Sequence, residues 1–291
     1  MLDFRIETFL TVCQTMNFTR AAELLHITQP AVSQHIHTLE AQFGAKLFAY
    51  AGKQLTLTPA GHLVLQTATT MRHDVHRLQE LLRQQNARRR LCFGVTLTIG
   101  EYVMPEPLIR LLQQEPDTQI RMHVANTADL LHLLDEGDID FAIVEGFFPQ
   151  QEYDSLPYRT ERYVAVCAPN YPFATPPRCL EDLLGERLLT REPGSGTREV
   201  LERVLHEHNR TVDDFRALTE LGNLDAIKSL ACAGLGIAFF YEPAVRAELA
   251  AGKLRELTLE GGDMTHDFTF LWRRGSVFAD WYRTIFFHLL A

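Results

Sequence analysis

Residues 19–48 read TRAAELLHITQPAVSQHIHTLEAQFGAKLF, and this stretch decides how the rest of the chain is read. Its spacing predicts two short helices joined by a tight turn. The first places Ala21, Ala22, Leu24 and Leu25 on an inner side. The second opens at Thr28-Gln29-Pro30 and buries Val32, Ile36 and Leu39. Thr28 suits a helix N-cap, and Pro30 falls in the first turn, where a missing N–H costs little. Apolar residues lock such a pair together. Gln29, Ser33, Gln34 and His37 are then left facing outward, as a helix-turn-helix requires of the residues that meet a DNA groove.

The flanks extend this unit. Residues 3–15 predict a supporting helix with Phe4, Ile6, Phe9, Leu10, Val12 and Cys13 on its apolar side. After Phe48, alternation around Leu55 and Leu57 with a turn at Gly52-Lys53 predicts a small hairpin, the wing of a winged helix-turn-helix. Thr58-Pro59 starts a long helix. Along it Val64, Ala68, Met71, Val75, Leu78 and Leu82 recur at heptad spacing, the seam of a two-stranded coiled coil. Packing of that helix on its own domain is the competing arrangement. The segment 84–90, QQNARRR, is polar and basic and suits a hinge. The formal net charge is −9, which sits poorly with DNA binding until the chain is divided. Residues 1–58 balance to zero, residues 59–90 carry +4, and the remainder carries −13. Phosphate contacts from so neutral a module must draw on helix N-termini and uncharged donors, with dimerisation doubling them.

From residue 91 strands alternate with helices. Strands are expected at 91–97, 119–125 and 139–144, with helices at 104–114 and 127–135 between them, a βαβαβ run that predicts a parallel sheet. A second unit follows, with strands at 163–168, 188–190 and 237–241 and helices at 197–208 and 224–233. A last strand at 268–272 and a helix at 277–290 close the chain.

One family shares the motif at the N-terminus. Ala21-Ala22, Leu25, Thr28-Gln29-Pro30-Ala31-Val32-Ser33, Ile36, Leu39-Glu40, Gly44, Leu47-Phe48 and Thr58-Pro59-Ala60-Gly61 resemble the LysR-type transcriptional regulators over about forty residues. The remaining chain matches the family's layout through weaker motifs. The resemblance implies a winged helix-turn-helix at 1–58, a dimerisation helix and hinge at 59–90, and an effector-binding domain at 91–291. That last domain would be a two-lobed α/β unit like periplasmic binding proteins, with lobe I from 91–161 and 267–291 and lobe II from 162–266. It implies double-stranded operator DNA of dyad symmetry, a small-molecule effector, a homodimer or homotetramer, and RNA polymerase as partners. The family usually carries Arg where this chain has Tyr50. One phosphate contact is thereby in doubt, with Lys53 and the Tyr50 hydroxyl as substitutes.

Ligands of open α/β sheets bind outside the carboxyl ends of strands, beside helix N-termini. Four such places carry polar residues: Thr96, Thr98 and Gly100; Asn126 and Thr127; the loop 191–198; and Asn223. The loop, REPGSGTR, is the sharpest. Gly194 and Gly196 let the backbone curl so that N–H groups converge, Ser195 and Thr197 add hydroxyls, and the following helix adds its dipole. Arg191 and Arg198 supply charge, Arg198 with the alternative of pairing to Glu202 at i+4. Glu145, at a strand end, falls near the same cleft. A small anion is the expected effector, since a neutral apolar one would leave these donors unpaired.

Other classes find little support. There is no His-Glu-x-x-His, no Ser-His-Asp signature and no Cys/His set with zinc spacing, so neither a metal nor a catalytic site is expected, and no cofactor. His206 and His208, two apart on a helix, make a poor metal pair. The pairs Asp138/Asp140 and Asp213/Asp214 read as turn and surface carboxylates. Five cysteines, at 13, 92, 167, 179 and 232, without a Cys-x-x-Cys, fit reduced thiols in a cytoplasm, with a redox-sensing pair as the minority alternative. No apolar run is long enough to span a membrane, and no secretory signal opens the chain. A cytoplasmic small-molecule-binding protein or enzyme, using the first ninety residues only for assembly, is the competing class.

Overall fold

The computed structural model describes residues 2–83, 90–260 and 264–290. Helices α1 (Phe4–Thr15), α2 (Phe18–Leu24) and α3 (Gln29–Phe43) form a three-helix unit. Phe9, Leu10, Val12, Ala21, Ala22, Val32, Ile36 and Leu39 make its core. From α2, Ala21 and Ala22 are buried there and Phe18 packs against it, whereas Leu24 is exposed. Thr28 accepts a bond from Ala31 N–H and Gly44 closes α3 at φ 64°. Strands β1 (Phe48–Ala51) and β2 (Gln54–Leu57) pair antiparallel as the wing.

Helix α4 (Pro59–Arg83) begins under the Thr58 hydroxyl, which accepts from Gly61 N–H at 2.9 Å. The seam expected along it is split. Val64 packs against the three-helix core and Ala68 is buried in it, so the first three turns belong to the N-terminal unit. Met71, Leu78 and Leu82 stay exposed. The opposite, polar side of α4 lies on lobe I. There Arg72 binds Glu136 and the Asp135 carbonyl, and His73 and His76 meet the carbonyls of Ile139 and Gly137. Asp74 accepts from Ser276 and Val277. Arg77 pairs with buried Asp140 at 3.0 Å and lies over the Trp281 ring. Asp140 is therefore a buried anchor and not the surface carboxylate its sequence neighbourhood suggested. Most of the expected hinge, 84–89, lies outside the described residues.

The remaining chain builds one mixed sheet from two lobes. Lobe I carries β3 (Arg90–Val95), α5 (Pro105–Gln114), β4 (Gln119–Val124), α6 (Thr127–Glu136) and β5 (Phe141–Val144). β3 pairs parallel with β4 and β5. The fifteen-residue β6 (Tyr153–Cys167) then crosses to lobe II. That lobe holds β7 (Arg187–Thr190), α7 (Gly196–Glu207), β8 (Ala217–Glu220), α8 (Leu224–Cys232), β9 (Ile237–Tyr241), α9 (Glu242–Ala250) and the short β10 (Arg255–Glu256). β11 (Thr265–Arg273) returns antiparallel beside β6 and β5, and α10 (Ala279–Leu290) closes lobe I. The first half of β6 escapes a sequence reading because Asp154, Pro157 and Arg159 interrupt its apolar pattern; its hydrogen bonds come from β11, far along the chain. β8 and α9 were missed for a similar reason. β8 has no fully buried residue, and α9 follows β9 with no turn signal between them.

Candidate functional sites

The first site is built from α2, α3 and the wing. Met16, Asn17, Phe18, Thr19, Gln29, Ser33, Tyr50, Lys53 and Leu55 line one concavity of about 350 Å³. Gln29 Nε2 donates to Ser33 Oγ at 2.9 Å, so the two side chains stand together on one edge of α3. Gln34 and His37 are exposed further along the helix. Thr28 and Pro30 hold the start of α3 rather than line the concavity. Tyr50 and Lys53 reach the same hollow. Asn17 and Thr19 were not anticipated. Asn17 caps α2, accepting from Thr19 and Arg20 N–H groups, and so presents a helix N-terminus at the rim. An Asn one residue before an aromatic helix start was the available signal.

The second site lies between the lobes at the strand ends. Thr96, Leu97, Val124, Ala125, Asn126, Glu145, Arg191, Glu192, Ser195 and Gly196 line a cavity of about 200 Å³. Its centre is the Glu145 side chain, 1% exposed. Oε1 of Glu145 accepts from Thr197 Oγ1 of lobe II at 2.9 Å and, more weakly, from Thr98 Oγ1 of lobe I at 3.5 Å. The two threonine hydroxyls are 3.3 Å apart. The Thr197 backbone N–H also points to this carboxylate. The protein's own acid thus sits on the N-terminus of α7, where the sequence placed an external anion. Gly196 makes that approach feasible: a Cβ there would stand 2.5 Å from Glu145 Cγ. Gly194, at φ 86°, makes the turn into the helix.

Burial dominates the electrostatics. Desolvation raises the Glu145 pKa to about 7, against the lowering pull of the Thr197 and Thr98 hydroxyls and of Arg191. Oε2 of Glu145 has no hydrogen-bond partner, and neither have the buried hydroxyls of Thr96 and Thr127. Arg191 is committed elsewhere, forked onto Glu192 at 2.8 and 2.7 Å. Arg198 is spent on Glu202 and Glu220. Other expected residues are not brought to the cavity. Asn223 is exposed and caps α8 through Ala226 N–H. Gly100 is packed between Val95 and Val124. Thr127 sits beside Gly146, behind the cavity wall. Among the described residues no cluster of His, Cys, Asp and Glu is arranged to hold a metal ion, and no helix is long and apolar enough to cross a membrane.

These two sites coincide with two matching families. The bacterial regulatory helix-turn-helix protein family, lysR type, matches residues 5–62, and the LysR substrate binding domain matches residues 84–283. The chain belongs to the LysR-type transcriptional regulators. It is 31% identical over 255 residues to the uncharacterized HTH-type transcriptional regulator YeiE of Escherichia coli K12, covering 88% of this chain and 85% of that one. Among solved structures it resembles full-length LysG from Corynebacterium glutamicum with bound effector Arg (18% identity, TM-score 0.64, 100% and 98% coverage). It also resembles the regulatory domain of CcmR from Synechocystis PCC6803 in complex with 2-PG (23% identity, TM-score 0.61, 70% and 96% coverage). The chain is a DNA-binding transcriptional regulator with an effector-binding domain.

Proposed function

We propose that this regulator binds a dyad-symmetric operator as a homodimer or homotetramer in the cytoplasm, with RNA polymerase as its downstream partner. Gln29, Ser33, Gln34 and His37 read base edges. Lys53, Tyr50 and the N-termini of α2 and α3, the latter shaped by Thr28 and Pro30, hold phosphates. The stripe of exposed Met71, Leu78 and Leu82 with half-buried Val75 on α4 joins the subunits. The working domains are 1–58, 59–90 and 91–291.

The effector is a small oxyanion that enters together with a proton. The observation that carries this is the Glu145 carboxylate seated on the anion-seeking groups of Thr98 and Thr197 with one oxygen unpartnered. Two negative groups in one 200 Å³ cavity repel strongly at low dielectric. An anion therefore binds when Glu145 is protonated and donates to it, or when the anion brings the shared proton itself. Ser195, Gly196 and Thr197 grip from lobe II, with Thr96 and Thr98 from lobe I, so that only the closed state makes both sets of contacts. Gly194 turns the chain into the gripping helix, and Arg191 stands ready once released from Glu192. The other titratable groups around Glu145 are Tyr163 on β6, Tyr241 on β9, Glu199 on α7 and His266 on β11, whose Nε2 meets the Glu145 carbonyl at 2.6 Å. Burial raises the pKa values of the two tyrosines and of Glu199, and the tyrosines stay neutral in the working range.

Calorimetric titration with sulfate and with phosphate, in two buffers of different ionisation enthalpy at pH 8, tests this. About one proton should be taken up per sulfate bound, fewer per hydrogen phosphate, which carries its own, and none by Glu145→Gln. Sulfate binding without proton uptake, or no binding of either anion at pH 6, overturns the reading.

A further inference from the structure

A second bridge crosses the cleft away from the ligand cavity. Thr98 is followed by a single π-helical turn, Ile99–Val103, a local form that recurs at functional sites. Tyr102 projects from this turn of lobe I and packs with the apolar residues of lobe II. Its hydroxyl donates to Asp225 Oδ1 of α8 at 3.2 Å. The Lys228 ammonium lies 4.9 Å from its ring centroid. Lys228 is nine-tenths buried and is already held within lobe II, by Asp225 at 3.0 Å and Glu248 at 3.2 Å. Burial opposes its charge, yet Tyr102, Asp225 and Glu248 keep the ammonium above its ordinary pKa.

We infer that Tyr102 is a positioning residue: its ring and hydroxyl, docked on the Asp225–Lys228–Glu248 cluster, hold the lobes closed and set Thr98 against Thr197. The receiving cluster is complete without Tyr102, so opening costs lobe II no ion pair. The ring–cation contact, one hydrogen bond and the packing of the ring on apolar residues of lobe II are lost. Such a contact tunes the open–closed balance without touching ligand. The π turn fixes Tyr102 relative to Thr98 through a few residues of backbone, so withdrawal of the ring carries the Thr98 hydroxyl away from its 3.3 Å contact with Thr197. This inference rests on the two-lobed cleft alone and is independent of what the effector is.

Hydrogen exchange of the full-length, ligand-free protein tests it. Tyr102→Leu should exchange about tenfold faster in the segments 97–104 and 195–199. Tyr102→Phe, which keeps the ring over Lys228, should restore most of that protection. Asp225→Ala, made in the other lobe, should loosen the same two segments, and combining it with Tyr102→Phe should add little, because both remove one bond. Operator binding without ligand should be unchanged in all of them, which separates the effect from misfolding. Unaltered exchange in Tyr102→Leu and Asp225→Ala overturns the inference. In a parallel sulfate titration, apparent affinity should fall about tenfold in Tyr102→Leu. Changed exchange with no sulfate binding by the wild type would leave the clamp standing and refute the anion reading.

Discussion

The two working ends of this regulator treat polar groups in opposite ways. At the DNA-facing end Gln29, Gln34, His37, Tyr50 and Lys53 are exposed, and the only bond among the expected base-reading side chains joins Gln29 to Ser33. At the effector cleft Glu145, Arg191, Ser195, Thr197 and Arg198 are buried, and every charged one has an internal partner. The first surface is ready for a partner that brings its own charge and replaces water. The second must exchange partners within the protein before it accepts anything. An exposed surface gains from added contacts, whereas a buried and nearly satisfied site responds through rearrangement, and rearrangement is what a sensor requires. Helix α4 joins these ends, its polar side bound to lobe I and its apolar side uncovered.

The largest expected effect lies on that uncovered side. Met71→Asp with Leu78→Asp places unpaired charge in the proposed subunit seam, where burial of an uncompensated charge is strongly destabilising, about 3–5 kcal/mol. Sedimentation at micromolar concentration should show monomers in place of dimers, and operator affinity should fall by two orders of magnitude or more. Both residues are exposed within the subunit, so the monomer fold should survive. A fully dimeric double mutant would move the interface off α4 and leave that stripe without a role in joining the two ends.

A smaller effect separates the buried site from the exposed one through pH. The Glu145 pKa rises to about 7 on folding, so the folded state binds a proton more tightly than the unfolded chain does. Its contribution is fully present below the unfolded value near 4.5, declines as pH rises, and is lost above about 7. A shift of this size corresponds to an order of 3 kcal/mol across that window. Denaturant titrations at pH 4.5 and pH 8 should show Glu145→Gln losing that much less stability than the wild type. Equal pH dependence in the two proteins would mean that Glu145 is not the buried acid it is taken for.

Local signals made the DNA-binding module legible. Thr28, Pro30 and Gly44 mark the ends of α3 within the stretch itself, and Val32, Ile36 and Leu39 give its inner side without reference to any distant residue. The strand ends and the loop 191–198 were equally local, which is why the cleft could be located. Its chemistry was not legible. Glu145 lies fifty-two residues from Thr197 and forty-seven from Thr98, and nothing in the sequence says that its side chain turns onto the start of α7. Glu202 was visible as an alternative i+4 partner of Arg198, but Glu220 becomes its partner only once α7 and β8 are folded together. The docking of α4 failed for the same reason: a heptad of apolar residues is visible along the helix, while Arg72, His73 and Arg77 look like its solvated side until lobe I supplies Glu136, Ile139 and Asp140.

The smallest predicted effect bears on the exposed end, where the comparison says that residues act singly. Gln29 and Ser33 stand one turn apart near the start of α3 and share a single bond. Ser33→Ala removes the acceptor of that bond and one hydroxyl from the concavity; Gln29→Ala removes an amide able to read adenine in the major groove. Neither side chain belongs to the core, so thermal stability should move by no more than about 0.5 kcal/mol. Operator binding should weaken by about 1–3 kcal/mol for each, measured against a scrambled duplex at one salt concentration, since phosphate contacts common to both duplexes cancel in that ratio. Lys53→Ala should lower both affinities alike and flatten their salt dependence by about one counterion per subunit. If Ser33→Ala and Gln29→Ala instead weaken both duplexes equally, these residues position the helix on the backbone and the reading passes to Gln34 and His37.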